Sequence, residues 1–201
     1  MDKGTASTVY EVKNIRREFN YRICAADVFN EFLYVGDDRG TFPFHSGNLY
    51  SYPVRANDPD VVPKNTTETT KNLNKHRIDK IECYPALGSV FVLADEKLFV
   101  VDSALRKSDM ICTKVHDFSI NEWSGKKEGA LHSIAVVSKK KEAFIVFWNK
   151  NTQNYEESRH FNISELPSHL GYNGSHLICS YKKEYETYNV EKNFAMARGP
   201  I

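Results

Sequence analysis

The chain has 201 residues, 41% hydrophobic and 26% charged, a composition that excludes wholesale disorder and allows one domain with a substantial core. Lys and Arg number 27 against 26 Asp and Glu, so a net charge of +1 excludes long-range capture of nucleic acid or anionic lipid by the whole molecule and restricts any such binding to local patches. The longest apolar run, Ala143 to Trp148, is far too short to span a bilayer.

Residues 1–13 open with Met1, Asp2, Lys3 and Gly4 and lack the apolar stretch of a secretory signal, so they are expected to be a flexible N-terminus of a cytoplasmic chain. From there strand-like pairs recur, each an apolar run, a polar break and a second apolar or alternating run, which is the pattern of a β-hairpin. The first passes through Phe32 to Val35, breaks at Gly36 to Arg39 and resumes at Leu49 to Tyr52. Its break holds an extra segment, Thr41 to Gly47, whose Phe42, Pro43, Phe44 and His45 suit an exposed tip poorly. Both a specific loop extension and a misplaced splice junction account for it. Residues 57–76 follow, polar and poor in apolar side chains, and are expected to form a mobile loop.

The second pair is the cleanest, Val90 to Ala94 and Leu98 to Val101 across Asp95, Glu96 and Lys97. The third joins Ile134–Val137 to Phe144–Trp148 across Ser138 to Glu142. The fourth joins Leu177–Tyr181 to Tyr185–Val190 across Lys182, Lys183 and Glu184. A further strand precedes two of the pairs, around Ile23 and Ile81. Pro167 limits Ile163–His169 to a turn at most, and the Asn173–Gly174 hairpin signal makes Leu166–Tyr172 a leading strand for the fourth unit. Residues 196–201 remain as a tail.

Equivalent positions Leu33, Val90, Ile134 and Ile178 are separated by 57, 44 and 44 residues, and the last two spacings match the blade repeat of a β-propeller. Val90–Leu93 and Phe144–Phe147 are apolar at consecutive positions, so both faces of each strand must be covered. Blades packed face to face satisfy this, and the expected fold is all-β, an incomplete β-propeller of about four blades of antiparallel strands.

No residues are assigned to catalysis, a cofactor or a metal. Gly36, Asp37, Asp38, Arg39 and Gly40 read as a turn, because no helix follows to hold phosphate and two adjacent acids fall short of a calcium loop. The histidines His45, His76, His116, His132, His160, His169 and His176 have no partners at metal spacing, and Cys24, Cys83, Cys112 and Cys179 are too scattered for a zinc or redox motif and read as free thiols. Trp123 and Trp148 lie beside strand or loop residues, with Trp148 read as a blade-packing residue and a peptide anchor as the functional alternative. The sequons at Asn65, Asn162 and Asn173 read as chance. Lysine tips at Lys139–Lys141 and Lys182–Lys183 read as solvated turns, with contact to anionic lipid or an acidic protein as the functional alternative.

The run DKIECYPALGSVFVLADEKLFVVDSALRK, Asp79 to Lys107, resembles the citron homology domain. Within that family the chain is most similar to the amino-terminal domain of tethering subunits of the vacuolar protein sorting 39 type and of the related subunit associated with the transforming growth factor β receptor. The segments Ala25–Gly40, Val136–Glu157 and Phe161–Val190 carry the likeness. It covers about residues 19 to 190 and places a partial citron homology propeller at 14–195. It implies a non-catalytic interaction scaffold in endosome-to-lysosome or vacuole transport, within a complex of the HOPS or CORVET type that also serves autophagy. The implied partners are other tethering subunits and Rab-type GTPases, with no nucleic acid. The implied location is cytoplasmic and peripheral on late endosomal, lysosomal or vacuolar membrane. The alternative is the same domain in a signalling protein, a kinase or a Rho guanine-nucleotide exchange factor, binding a small GTPase. An enzyme on a propeller would show acids or histidines converging at the inner strand ends, and the sequence displays none. A full propeller of about seven blades needs roughly 280 to 315 residues, so the four units are expected to be a fragment, a short isoform or an incomplete gene model with an unpaired blade face near the C-terminus.

Overall fold

A computed structural model describes residues 22–29, 32–37, 76–102, 107–121, 133–149, 151–192 and 194–200, together with short strands at 40–41, 44–45, 49–53 and 64–65. Four antiparallel four-stranded sheets follow one another along the chain. Blade 1 holds Ile23–Phe29 (β1), Phe32–Asp37 (β2), Leu49–Pro53 (β5) and Lys64–Asn65 (β6), with a small hairpin of Gly40–Thr41 (β3) and Phe44–His45 (β4) in the segment Thr41 to Gly47. Blade 2 holds Ile78–Tyr84 (β7), Ser89–Ala94 (β8), Lys97–Asp102 (β9) and Ser108–Thr113 (β10). Blade 3 holds Val115–Ile120 (β11), Ser133–Ser138 (β12), Glu142–Asn149 (β13) and Asn154–Asn162 (β14). Blade 4 holds His169–Asn173 (β15), His176–Ser180 (β16), Glu184–Asn189 (β17) and Phe194–Pro200 (β18).

All four hairpins read from the sequence are present, as β2–β5, β8–β9, β12–β13 and β16–β17. Leading strands precede each of them, including β11, which the sequence reading had not singled out. A fourth strand closes the outer side of every blade. The first break begins later than expected, since Gly36 and Asp37 still belong to β2 and are buried. A Cβ on Gly36 would lie 2.3 Å from Cγ2 of Ile78, so this glycine serves the close approach of blades 1 and 2. Residues 1–13, and 57–76 apart from Lys64, Asn65 and His76, lie outside the described residues, while β18 takes in most of the segment 196–201.

Face-to-face stacking explains the doubly apolar strands. Val90 to Ala94 on β8 and Ile134 to Ser138 on β12 are buried at every position, because each strand meets a neighbouring blade on both sides. Three apolar seams result. Tyr34, Ile78, Val92 and Phe99 fill the first, between blades 1 and 2. Phe91, Leu93, Phe118 and Val136 fill the second, and Val137, Ile145, Leu177 and Tyr188 the third. In blade 4 the pattern changes: β16 alternates, Leu177 and Cys179 buried in the third seam and Ile178 exposed at 42% on the other side.

Neighbouring first strands approach one another, β1 against β7 and β11 against β15, and polar clamps join them. Asp27 accepts the main-chain N–H of Cys83 at 2.6 Å, and Glu82, two positions past the bulge just as Asp27 is, accepts that of Ile120 at 2.9 Å. Between blades 3 and 4 Asn121 takes over, bonding both to the N–H and to the carbonyl of Gly174 at 2.9 Å.

Candidate functional site

Among the described residues, two concavities bring distant segments together, one at each end of the strands. The first is a groove of about 690 Å³ where the second seam opens to solvent. It lies at the end where β7 passes to β8, between Leu87, Val100 and Met110 of blade 2 and Trp148 and Tyr155 of blade 3. A left-handed backbone at Gln153, φ 52°, turns the chain into β14 beside it. Its floor is aromatic: Trp148 meets Tyr155 edge to face at 5.0 Å, and Tyr155 in turn meets Phe91 of the seam at 6.4 Å. Burial pushes the Tyr155 hydroxyl well above its ordinary pKa, keeping it neutral. Leu87 and Met110 stand at the rim, 45% and 54% exposed. Lys107 and Asp109 flank the mouth and pair with each other at 2.9 Å, so they give the groove no net charge. An aromatic floor, flexible apolar rims and internally balanced charge suit an apolar side chain presented on an extended segment.

The second concavity, about 550 Å³, lies at the opposite strand ends, among Asp79, Lys80, His116, Asp117, Pro167 and His169. Bulges early in β7 and β11, between Ile78 and Lys80 and between Val115 and Asp117, re-aim these strand starts. Lys80 Nζ thereby reaches Asp117 Oδ1 and Glu82 Oε1, each at 2.9 Å, donates to the carbonyl of Phe118 at 2.6 Å and lies 5.1 Å from the Phe118 ring. Burial works against the Lys80 charge, yet Glu82 and Asp117 together hold its pKa above the ordinary value, so the ammonium is an internal counter-ion. His116 Nε2 donates to the carbonyl of Pro167 at 2.9 Å. The sequence displays no acids or histidines converging at inner strand ends, and in the folded chain they do converge. Their polar atoms are spent on clamping strands: Glu82 on Ile120 and Lys80, His116 on the blade 3 to blade 4 linker. Among the described residues no three His, Cys, Asp or Glu side chains are grouped to hold a metal ion.

The remaining sequence candidates fall as follows. His76 bonds Asp95 at 2.9 Å and stacks on Phe99, while His160 bonds Glu142 at 2.9 Å and stacks on Phe144. His169 and His176 are exposed, and His132 and Trp123 lie outside the described residues. Cys83, Cys112 and Cys179 are buried free thiols and Cys24 is half-buried. Burial raises the pKa of all three buried thiols, to about 12 for Cys112 and Cys179, which makes them unreactive. Trp148 packs within its blade, as read, and also lines the groove.

No known family model matches the chain, and no curated protein matches it. Solved structures do. The WD40 repeats of RRP9 are similar at 7% identity, over 90% of this chain and 52% of that one, with a TM-score of 0.62. Hsv2 of Kluyveromyces lactis is similar at 13% identity, over 87% of this chain and 61% of that one, with a TM-score of 0.56. The AfRom2 CNH domain is found as well, at 9% identity over 89% of this chain and 84% of that one, but its TM-score of 0.42 is too low to favour one propeller subfamily over another. The fold is therefore of β-propeller type, built from antiparallel four-stranded blades, and the chain spans about half the length of the RRP9 propeller.

Proposed function

We propose that this chain is a non-catalytic protein-interaction scaffold whose blade 2 to blade 3 groove receives an apolar side chain from an extended segment of a partner protein. The groove carries the reading: Trp148 and Tyr155 form a preorganised aromatic floor, held between packed blades, beside the exposed Leu87 and Met110. Rigid blades position it, so recognition needs little ordering of the scaffold.

The resemblance of Asp79–Lys107 and the three further segments to the citron homology domain supports the finer reading. In it the chain belongs to a vesicle-tethering subunit of the HOPS or CORVET type, peripheral on endosomal, lysosomal or vacuolar membrane, with Rab-type GTPases and other tethering subunits as partners. Binding of purified Rab-type GTPases, loaded with GTP analogue or GDP, to the immobilised chain tests it. The expected result is nucleotide-dependent binding by at least one Rab, weakened about 30-fold or more by Trp148→Ala, the loss typical of a central aromatic anchor. Binding to Rho-class GTPases alone would transfer the chain to the signalling branch. Binding unaffected by Trp148→Ala and Met110→Asp, with both variants folded, would remove the groove from the account.

A further inference from the structure

We propose that the face opposite the groove is an electrostatic landing surface for an anionic lipid bilayer. It rests on the reading above only for the setting of peripheral membrane association, and the residues that carry it are different ones.

Main-chain bonds fix which turns share this face. Val115 N–H donates to the carbonyl of Glu96, Lys139 N–H to that of Lys114, and Ile163 N–H to that of Lys141, at 2.9, 3.0 and 3.0 Å. Ser168 N–H donates to the carbonyl of Ser180 at 2.8 Å, next to the β16–β17 tip. The β8–β9, β12–β13 and β16–β17 tips and the linkers between blades 2, 3 and 4 therefore crowd one end of the strands. The groove, at Leu87, Lys107 and Asn154, opens at the other.

Five exposed lysines project from this end: Lys114, Lys140, Lys141, Lys182 and Lys183. None of the five has an ion pair among the described residues. The neighbouring carboxylates are already engaged. Glu96 pairs with Lys139 at 2.5 Å, Asp95 with His76 and Glu142 with His160, each at 2.9 Å, and Glu184 with Arg198. A histidine offsets charge only when protonated, so Asp95 and Glu142 count with the exposed Glu165 as three uncompensated acids against the five lysines, and the surplus at this end is still positive. Sequence alone showed two separate lysine turns; folding places them on one surface and adds Lys114.

The form of the patch favours a membrane over an acidic protein. The lysines sit on projecting turns, and a flexible, compact ammonium suits a fluid headgroup layer, whereas a fixed carboxylate partner favours the planar fork of arginine. Between the two lysine tips runs the linker Ile163–Ser168, and its Leu166 is 36% exposed. An apolar side chain flanked by lysines is the arrangement of an interfacial anchor, leucine at the acyl boundary and ammonium groups among phosphates.

Sedimentation with phosphatidylcholine vesicles, with and without phosphatidylserine, at low and high salt, tests the proposal. Binding is expected to vesicles containing phosphatidylserine at low salt, and to be lost without that lipid or at high salt. Each of Lys140→Glu, Lys141→Glu, Lys182→Glu and Lys183→Glu should weaken partitioning by at least about fivefold. Lys192→Glu, remote from the tip face, should leave it unchanged, and thermal melts establish that all variants are folded. Absence of binding, binding indifferent to phosphatidylserine, or equal losses for Lys192→Glu and the tip variants would overturn it. Capture by polyglutamate beads without vesicle binding would also overturn it and assign the face to an acidic protein. Vesicle binding does not involve GTPases, so this result and the groove result can fail separately.

Discussion

Gly36 and Glu186 show how single positions hold the blades in place. At Gly36 the obstacle to any side chain is Ile78, itself fully buried, so Gly36→Ala forces two blades apart or Ile78 off its rotamer. The expected cost is about 1–3 kcal/mol, measured by denaturant unfolding, and the loss in Gly36→Ala combined with Ile78→Ala should be smaller than the sum of the two single losses. Glu186 is a buried carboxylate in a cage of donors. Its Oε2 accepts from the hydroxyls of Tyr188, Tyr181 and Ser164 at 2.5, 2.8 and 2.9 Å, and the Arg198 guanidinium lies 3.5 Å from Oε1. Burial opposes the charge, but these donors outweigh it and hold the pKa below the ordinary carboxylate value. The folded state thus prefers the anion more than the unfolded chain does. The resulting stabilisation is complete above the unfolded pKa, about 4.3, and disappears as pH falls through the lower folded value. Glu186→Gln is expected to lose about 1–3 kcal/mol at pH 7 and to show a flatter stability curve below pH about 5, followed by urea melts across pH. An unchanged acid limb would remove Glu186 as its source.

Among elements, the strands split by how many faces they bury. Leu93 on β8 is 4% exposed within the second seam, whereas Lys140 sits in the solvated β12–β13 tip. Leu93→Asp is expected to abolish soluble expression, since it buries an unpaired charge, while Lys140→Asp should melt within about 0.5 kcal/mol of the parent. Equal melts for the two would defeat face-to-face stacking. The same contrast explains what was legible beforehand. Val90–Leu93 and Phe144–Phe147 announced themselves as doubly covered strands because every residue is apolar, and the first is buried throughout while the second is buried through Val146, with Phe147 half-buried. The outer strands did not: β10 reads SDMICT and β14 reads NYEESRHFN, and apart from the buried Cys112 they mix exposed and half-buried positions. The last sheet was not legible from its strand pattern, since β16 reads HLICS, apolar at Leu177, Ile178 and Cys179 in succession, and only folding shows Ile178 exposed while its two neighbours are buried.

Across the whole molecule, the sites escaped the sequence because they are assembled across blades. Lys80 meets Asp117 from 37 positions away, and the groove spans Leu87 to Tyr155, so no local motif marks either one. What the sequence did supply was the repeat, and the repeat places groove and lysine tips at opposite strand ends of the same stack. A scaffold with two working faces requires the blades to behave as one body, joined through seams that contribute more than any single blade can. Native-state hydrogen exchange on Leu93→Ala measures this directly. The substitution removes a blade 2 side chain from the second seam at an expected cost of about 2–5 kcal/mol. If the blades are one cooperative unit, the slow amides of β12 and β13 in blade 3 lose protection together with those of β8 and β9 in blade 2. Loss confined to blade 2, with blade 3 amides exchanging as in the parent, would contradict the stacked scaffold.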